Sequence, residues 1–409
     1  MSNHIKKYIG WVLLALLIAY EATRIGDLDI YLGASRDLFN HQNIYTNTYQ
    51  EWYHYYYDNV FAILIYPLSF IPLYWANVFW SIINMACTYR LWQILKEYIP
   101  INKLTIKQRG IFTWLFAIFI FALWHRNIHL TQITIIILWL SLEGYNLLDK
   151  GKIMLGALLI GLGITIKLMP LVFIPYLLYK GRWRESLAIC LAIVVLLLIP
   201  ALGIGWDYNI FLLKERWAIL NPANSEHILD VSERSFHSIT SLFSTLFVEN
   251  ARNQYSLHIK RNIADVSLDT LKLYINIARL FFVGFTIYFL RSWPFNNTSS
   301  KIKSWWEISY FLLVIPLIFP HQQHYAFFFA APAIAYCLYF AITCLSWSTM
   351  RVSKKYAWYF LGIIIFFLLS SHFVLGVHQN YYNHFKTLTY GVIFIIPILA
   401  WMKPNKLFG

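Results

Sequence analysis

Two aspartates stand in the run Arg24-Ile25-Gly26-Asp27-Leu28-Asp29-Ile30-Tyr31, directly after the first apolar stretch of the chain. A carboxylate at such a point can serve as a general base toward a substrate held at headgroup level. The plainer reading is a solvated helix end. Lys167 lies in Gly161-Leu162-Gly163-Ile164-Thr165-Ile166-Lys167-Leu168-Met169-Pro170, where the glycines and the proline let a helix open. A cation there suits a lipid phosphate, bound as a point charge, and the plainer alternative is a lysine that snorkels to the headgroups. Phe319-Pro320-His321-Gln322-Gln323-His324-Tyr325 joins two apolar stretches and sets two histidines three residues apart. That spacing on a helix can hold a metal ion, but no glutamate-containing motif accompanies it, so hydrogen bonding to phosphate or sugar hydroxyls is expected and a metal is not. Glu233-Arg234-Ser235-Phe236-His237-Ser238 reads as a solvated turn or as a binding element. The run Trp52-Tyr53-His54-Tyr55-Tyr56-Tyr57-Asp58-Asn59 reads as an interfacial belt or as a surface for stacking a sugar ring.

The elements that must position these residues follow from composition. Of 409 residues, 59% are hydrophobic and only 13% charged, which excludes an ordinary soluble domain. The formal charge of +14 sits in short Lys/Arg runs between apolar stretches, so it marks cytoplasmic loops rather than a nucleic-acid partner. The four cysteines, Cys87, Cys190, Cys337 and Cys344, lie inside apolar segments and read as small core residues. The first apolar run has no small-residue cleavage site behind it and reads as a retained helix.

A bilayer crossing needs roughly 20 apolar residues. Spans are expected near Tyr8 to Ala22, Tyr74 to Leu95, Gly110 to Trp124, Gln132 to Leu148, Ser186 to Leu202, Ile275 to Leu290, Ser304 to Phe319, Tyr325 to Ser346, Tyr356 to His372 and Thr387 to Trp401. Asn59 to Pro72 is short for a span, and Ile153 to Tyr179 reads as two short helices broken at Lys167 or, as the competing reading, as one continuous tilted helix. The expected fold is therefore all-α, a polytopic bundle of about twelve spans with short amphipathic surface helices. If the basic runs Lys96 to Arg109, Lys180 to Arg184, Arg291 to Lys303 and Arg351 to Lys355 are cytoplasmic, the polar segments share the outer face. Residues 1–409 then form one membrane-embedded unit, with a first outer loop at 23–58 and a long outer loop at 203–274. No internal repeat is evident.

Taken in order, several of these segments resemble the polyprenyl-phosphate-sugar-dependent glycosyltransferases of the multispanning C-type fold, specifically family 87, which includes bacterial alpha-mannosyltransferases. The resemblance is carried by Asp27-Leu28-Asp29-Ile30-Tyr31 with Ala34 and Tyr45, by Tyr66-Pro67-Leu68 through Ile71-Pro72, by Gln132 opening a span, by Lys167-Leu168-Met169-Pro170 ahead of Arg182-Trp183-Arg184, and by Arg234-Ser235-Phe236. The stretch Pro320-His321-Gln322-Gln323-His324 departs from the family, which usually has a tryptophan there, and the tyrosine-rich run before Asn59 lacks the family's proline pair.

What the resemblance implies is an inverting transfer of a hexose, mannose by family habit, from a polyprenyl phosphate to a hydroxyl of a lipid or glycan acceptor at the outer face of the cytoplasmic membrane. It gives the base to Asp27 with Asp29 in reserve, a further catalytic role to His324 or His321, and substrate contacts to Lys167, His321, Arg234, Ser235, Tyr31 and Gln132. No cofactor is implied, and no nucleotide-cradling G-x-x-x-x-G-K-[ST] motif occurs. The expected partners are the lipid-linked donor, the acceptor and the surrounding lipids. A transporter or flippase of lipid-linked glycans would instead line a transmembrane path with charge, whereas here the acids gather outside the apolar stretches. A structural subunit of an envelope-assembly complex would have no use for a catalytic acid.

Overall fold

A computed structural model of the chain describes residues 3–221, 236–249, 251, 257–291, 293–295, 300–344, 362 and 375–404. Among the described residues every regular element is helical, so the all-α expectation holds. The chain divides into two compact units: Met1–Ile94 with His125–Leu178 and Arg182–Asn221, and Leu95–Trp124 with Tyr179–Gly181 and Pro222–Gly409.

The first unit opens with α1 (Asn3–Glu21), an apolar helix whose Tyr8, Trp11, Leu13 and Leu16 face outward. After the short turn 22–26 the chain enters α2 (Asp27–Phe39), which packs on α3 (Asn59–Ile65). Asp58 caps α3 by accepting from the Val60 N–H at 2.9 Å. A 3-10 turn, Tyr66–Phe70, leads to α4 (Leu73–Tyr98), which leaves the first unit after Ile94; α5 (Ile106–His129) belongs to the second unit up to Trp124 and returns to the first at His125, and α6 (Thr134–Asp149) follows.

The chain then breaks where glycine, proline and lysine predict it. Helix α7 (Ile153–Ile166) ends at Lys167, whose backbone is extended at φ −147° and ψ 125°; Met169–Val172 is a 3-10 turn, and α8 (Phe173–Tyr179) completes the run. Helices α9 (Trp183–Leu198), α10 (Ala201–Ile204) and α11 (Trp206–Leu220) close the unit.

Helix α7 packs against α6 and α9. Its closest crossing is at glycine: a Cβ on Gly156 would lie 2.7 Å from the Gly144 carbonyl, and one on Gly144 would lie 2.8 Å from the Gly156 carbonyl. Small residues let two backbones approach in this way, which is how helices associate where lipid removes the usual hydrophobic drive.

In the second unit the helix Lys301–Ile318 packs against Ala331–Cys344, Thr387–Trp401, Leu268–Leu290 and Ile239–Phe247. Phe289 stacks on Trp306 at 4.0 Å and on Tyr310 at 4.2 Å, while the Trp306 indole donates to the Leu399 carbonyl at 2.8 Å. Such ring pairs add about 0.5–1.5 kcal/mol each beyond their buried area. Glu307, wholly buried, pairs with Lys180 at 3.1 Å. Lys180 is thus a core cation rather than a solvated member of a basic loop.

Among the described residues four helices are long and apolar enough to cross a membrane: Ile106–His129, Trp183–Ile204, Leu268–Leu290 and His324–Thr343. The pair Gly376–His384 and Thr387–Trp401, bent by 71°, brings the number to as many as five. Side chains such as Leu280 and Phe281 stand 69% and 65% exposed on these helices, a surface suited to lipid and not to water. The chain is an integral membrane protein.

About twelve spans is not confirmed. The 14 residues of α7 reach roughly 21 Å against a hydrocarbon core of about 30 Å. The expected span Tyr356 to His372 lies outside the described residues but for Gly362. Of the cysteines, Cys87 and Cys337 are buried as expected, whereas Cys190 is exposed on α9.

The Gly144–Gly156 crossing yields a direct test. Gly156→Val should lower the unfolding midpoint of the purified protein, with a loss of about 1–3 kcal/mol for the overpacked contact. Gly110→Val, at a position with open space, should be much milder.

Candidate active site

Helix α2 begins where another segment of the first unit supplies what its own sequence lacks. No side chain caps it at Gly26. Instead the Asp27 N–H donates to the Leu130 carbonyl at 3.0 Å, and the Leu28 N–H donates to the Thr131 hydroxyl at 2.9 Å. Only glycine fits at 26, because a Cβ would meet the Thr131 hydroxyl at 2.6 Å and the Leu130 carbonyl at 2.8 Å. Thr131 itself holds a left-handed backbone, φ 47°, unusual for a β-branched residue and costing on the order of 1–3 kcal/mol. The Trp80 indole, donating to its carbonyl at 2.8 Å, keeps it there.

This docking sets Gln132 against Asp27. The Gln132 amide donates to Asp27 Oδ2 at 2.5 Å, and the Tyr31 hydroxyl lies 3.5 Å from the same oxygen. Both described hydrogen bonds to this carboxylate fall on Oδ2, which leaves Oδ1 to accept from something else. Asp27 is half-buried, and loss of water pushes its pKa up to about 6 against the pull of the Gln132 hydrogen bond, the Lys167 charge and Tyr31. Asp29 is held differently: Gln50 donates to its Oδ2 at 3.2 Å and to the Gly26 carbonyl at 2.9 Å. Both aspartates therefore belong to the first turn of a second helix rather than to the frayed end of the first.

Tyr31 is fully buried, bonded to the Tyr57 hydroxyl at 3.0 Å and set edge-on to Tyr57, Phe61 and Trp80. The aromatic run before Asn59 accordingly divides. Tyr55 and Tyr57 are buried, with Tyr55 donating to the Asp58 carbonyl at 2.9 Å, while Trp52 and Tyr56 stay about half exposed. Burial takes Tyr55 and Tyr57 out of any interfacial belt.

Lys167 reaches the site from the broken end of α7, where its charge acts on Asp27. The break is braced by Arg216, which donates to the Thr165 carbonyl at 2.5 Å and pairs with Asp58. Neither Asp58 nor Arg216 stands out in the sequence. Asp58 ahead of an apolar run carries a helix-capping signal, but its ionic partner lies 158 residues away.

The histidines belong to the second unit. His324 is buried and its ring lies 6.3 Å from that of His237, which is wholly buried; His321 is half-buried with its ring 5.3 Å from Phe236. The His237 N–H donates to the Gln322 carbonyl at 2.8 Å, and Thr389 donates to the His237 carbonyl at 2.7 Å. Burial, Lys386 and His324 all hold His237 well below the usual histidine range, so it is neutral. Its part was not read from the sequence, where it appears only at the end of a polar cluster. Arg234 and Ser235 lie outside the described residues.

Apolar helices exposed along their length, together with a desolvated carboxylate, an amide and a lysine gathered at interrupted helix ends, define a membrane-embedded protein with acid–base chemistry within reach. The sequence model of glycosyltransferase family 87 matches residues 55–298, more than half of the chain, and the protein belongs to that family. Membership implies glycosyltransferase activity. No curated protein matches the chain. Gln132, Lys167, Arg234 and Ser235 fall within the matched stretch; Asp27, Asp29 and Tyr31 precede it, and His321 and His324 follow it.

The buried pair beneath Lys167 predicts an asymmetry. Arg216→Leu leaves Asp58 as an uncompensated buried charge and should cost about 3–5 kcal/mol, whereas adding Asp58→Asn should restore part of that loss. Unfolding midpoints of the single and double variants in detergent check it.

Proposed function

We propose that the protein transfers a hexose, mannose by family resemblance, from a polyprenyl phosphate to an acceptor hydroxyl, with inversion, at the outer face of the cytoplasmic membrane. Asp27 is the base. The observation that carries this reading is the asymmetry of its carboxylate, with Oδ2 pinned by Gln132 and no hydrogen bond to Oδ1 among the described residues. The basic runs between apolar stretches support the topology, since they mark the cytoplasmic side and leave the segment after α1 outside.

In this reaction the acceptor O–H gives its proton to Asp27 Oδ1 as its oxygen bonds to C1 of the sugar. The bond from C1 to the phosphate oxygen breaks with its electron pair, and polyprenyl phosphate departs. Phosphate needs no protonated acid, but its growing charge favours a cation, and Lys167, whose charge is felt at Asp27, suits that role. A pKa near 6 suits Asp27 to its task, ionised at neutral pH yet a stronger base than an ordinary carboxylate. Asp29, tied to Gln50 where Asp27 is held by Gln132, is the weaker candidate. Tyr31 orients the base. We assign His321, His324, Arg234 and Ser235 to the sugar and phosphate of the donor, in keeping with the family resemblance.

The test is transfer of label from polyprenyl-phosphate-mannose to a membrane lipid extract by the full-length protein in lipid nanodiscs. Asp27→Asn should lower the rate roughly 100-fold to 10,000-fold. The unfolding midpoint should not fall, because the folded state raises the carboxyl pKa and the neutral amide removes a cost that the ionised acid bears at neutral pH. A wild-type rate in Asp27→Asn, or movement of the lipid across the bilayer with no new glycosidic bond, would overturn the proposal.

The pH profile gives a second check. Activity should fall as pH drops through about 6, where Asp27 takes up its proton. In Lys167→Met that acid limb should move to higher pH, since the lysine charge holds the carboxyl pKa down.

A further inference from the structure

Glu21, the last residue of α1, is 2% exposed and lies between two histidines from the final turn of α5. Its Oε1 is 3.1 Å from His125 Nε2 and its Oε2 is 2.9 Å from His129 Nδ1. The two imidazoles are four residues apart, hence on one face of the helix, and stack at 5.7 Å with 27° between their planes. One ligand atom from each of the three residues can be taken so that all lie within 4.8 Å of one another.

We propose that these three residues bind one divalent transition-metal ion of the zinc class. The donor set decides the class: two imidazoles and one carboxylate suit zinc and its neighbours, whereas magnesium and calcium take oxygen ligands. The spacing fits as well. Tetrahedral bonds of about 2.0–2.1 Å put neighbouring ligand atoms roughly 3.3 Å apart; each imidazole nitrogen already stands near that distance from its own oxygen of the carboxylate, so one imidazole has to shift toward the oxygen that binds the ion. The histidine pair closes by rotation of its rings, and a water completes the fourth position. A nearly sealed carboxylate is also a site where a dication replaces lost hydration. No local pattern marks the cluster, because Glu21 stands more than 100 residues before the pair it meets.

The site joins the two stretches that build the Asp27 centre. Glu21 precedes Asp27 by a single turn of chain, and His129 is followed at once by Leu130, Thr131 and Gln132, which receive the start of α2. The ion positions the base by holding the end of α1 to the end of α5. This positioning role, though not metal binding itself, rests on Asp27 being the base.

The experiment is metal analysis of the full chain in detergent, with any affinity tag removed, after equilibration with micromolar zinc and gel filtration. The wild type should retain close to one zinc per chain, and addition of a strong chelator should lower its unfolding midpoint. Glu21→Gln keeps the shape and the contacts to both rings but removes the charge; it and His129→Ala should each weaken zinc binding by more than about 100-fold. Cobalt in place of zinc should give the visible absorption of a four-coordinate site in the wild type and not in either variant. A wild type that holds no zinc and whose midpoint ignores the chelator would overturn the proposal, as would cobalt bands unchanged in His129→Ala. The outcome is separable from the assignment of the base: Asp27→Asn should bind zinc normally, and a metal-free wild type with full transfer activity would leave the base standing while the metal falls.

Discussion

The first unit depends on how closely the backbone at Gly26 approaches Leu130 and Thr131. A helix start leaves N–H groups without partners, and α2 has no side chain of its own to cap them. The turn after α5 supplies the acceptors, one carbonyl and one hydroxyl, and it can do so only because nothing projects from residue 26. Gln132 comes next in the chain, so the contact that caps the helix also delivers the amide to Asp27. The left-handed Thr131 is the local cost of turning the chain so sharply, and the Trp80 indole holds it in place from α4.

Electrostatics inside such a protein is a matter of partnering few charges well. Asp58 with Arg216, Glu143 with Arg90 at 2.6 Å, and Glu307 with Lys180 are ion pairs in which each charge is neutralised at contact distance. Asp27 is different. It feels the Lys167 charge, and burial outweighs that charge and the hydrogen bonds, so its pKa settles at about 6. A carboxylate locked in a tight ion pair is a poor base, and one buried with no cation would stay protonated. The arrangement lies between those limits, where proton transfer is most useful.

How much of this was legible in the sequence depended on the range of the signal. Apolar runs gave helix positions well: Thr387 to Trp401 matches end to end, and the break at Lys167 follows from its glycines and proline. The number of spans did not follow, because hydropathy measures apolar content and not continuity. Ile153 to Tyr179 is apolar throughout yet divides into short pieces, and His324–Thr343 is apolar because it is buried in protein. Asp27, Lys167 and Gln132 were visible as odd residues in apolar surroundings. The partners that organise them were not, since Arg216 and the Glu21 cluster involve pairings across more than 100 residues that leave no local pattern.

The break that carries Lys167 shows why these features belong together. Unwinding a helix frees carbonyls that a bilayer cannot satisfy, so irregular backbone persists only where protein provides donors. Here the freed Thr165 carbonyl is taken by Arg216, whose charge is in turn balanced by Asp58. Asp58 is also the cap of α3, which packs on the helix that bears Asp27. One guanidinium therefore supports both the opening of α7 and the neighbourhood of the base. Helix α7 ends at Lys167, whose backbone is extended and whose charge lowers the proton affinity of Asp27. The cation is present beside Asp27 because the helix is broken there, and the break survives because an ion pair elsewhere in the unit absorbs its unpaired polar group.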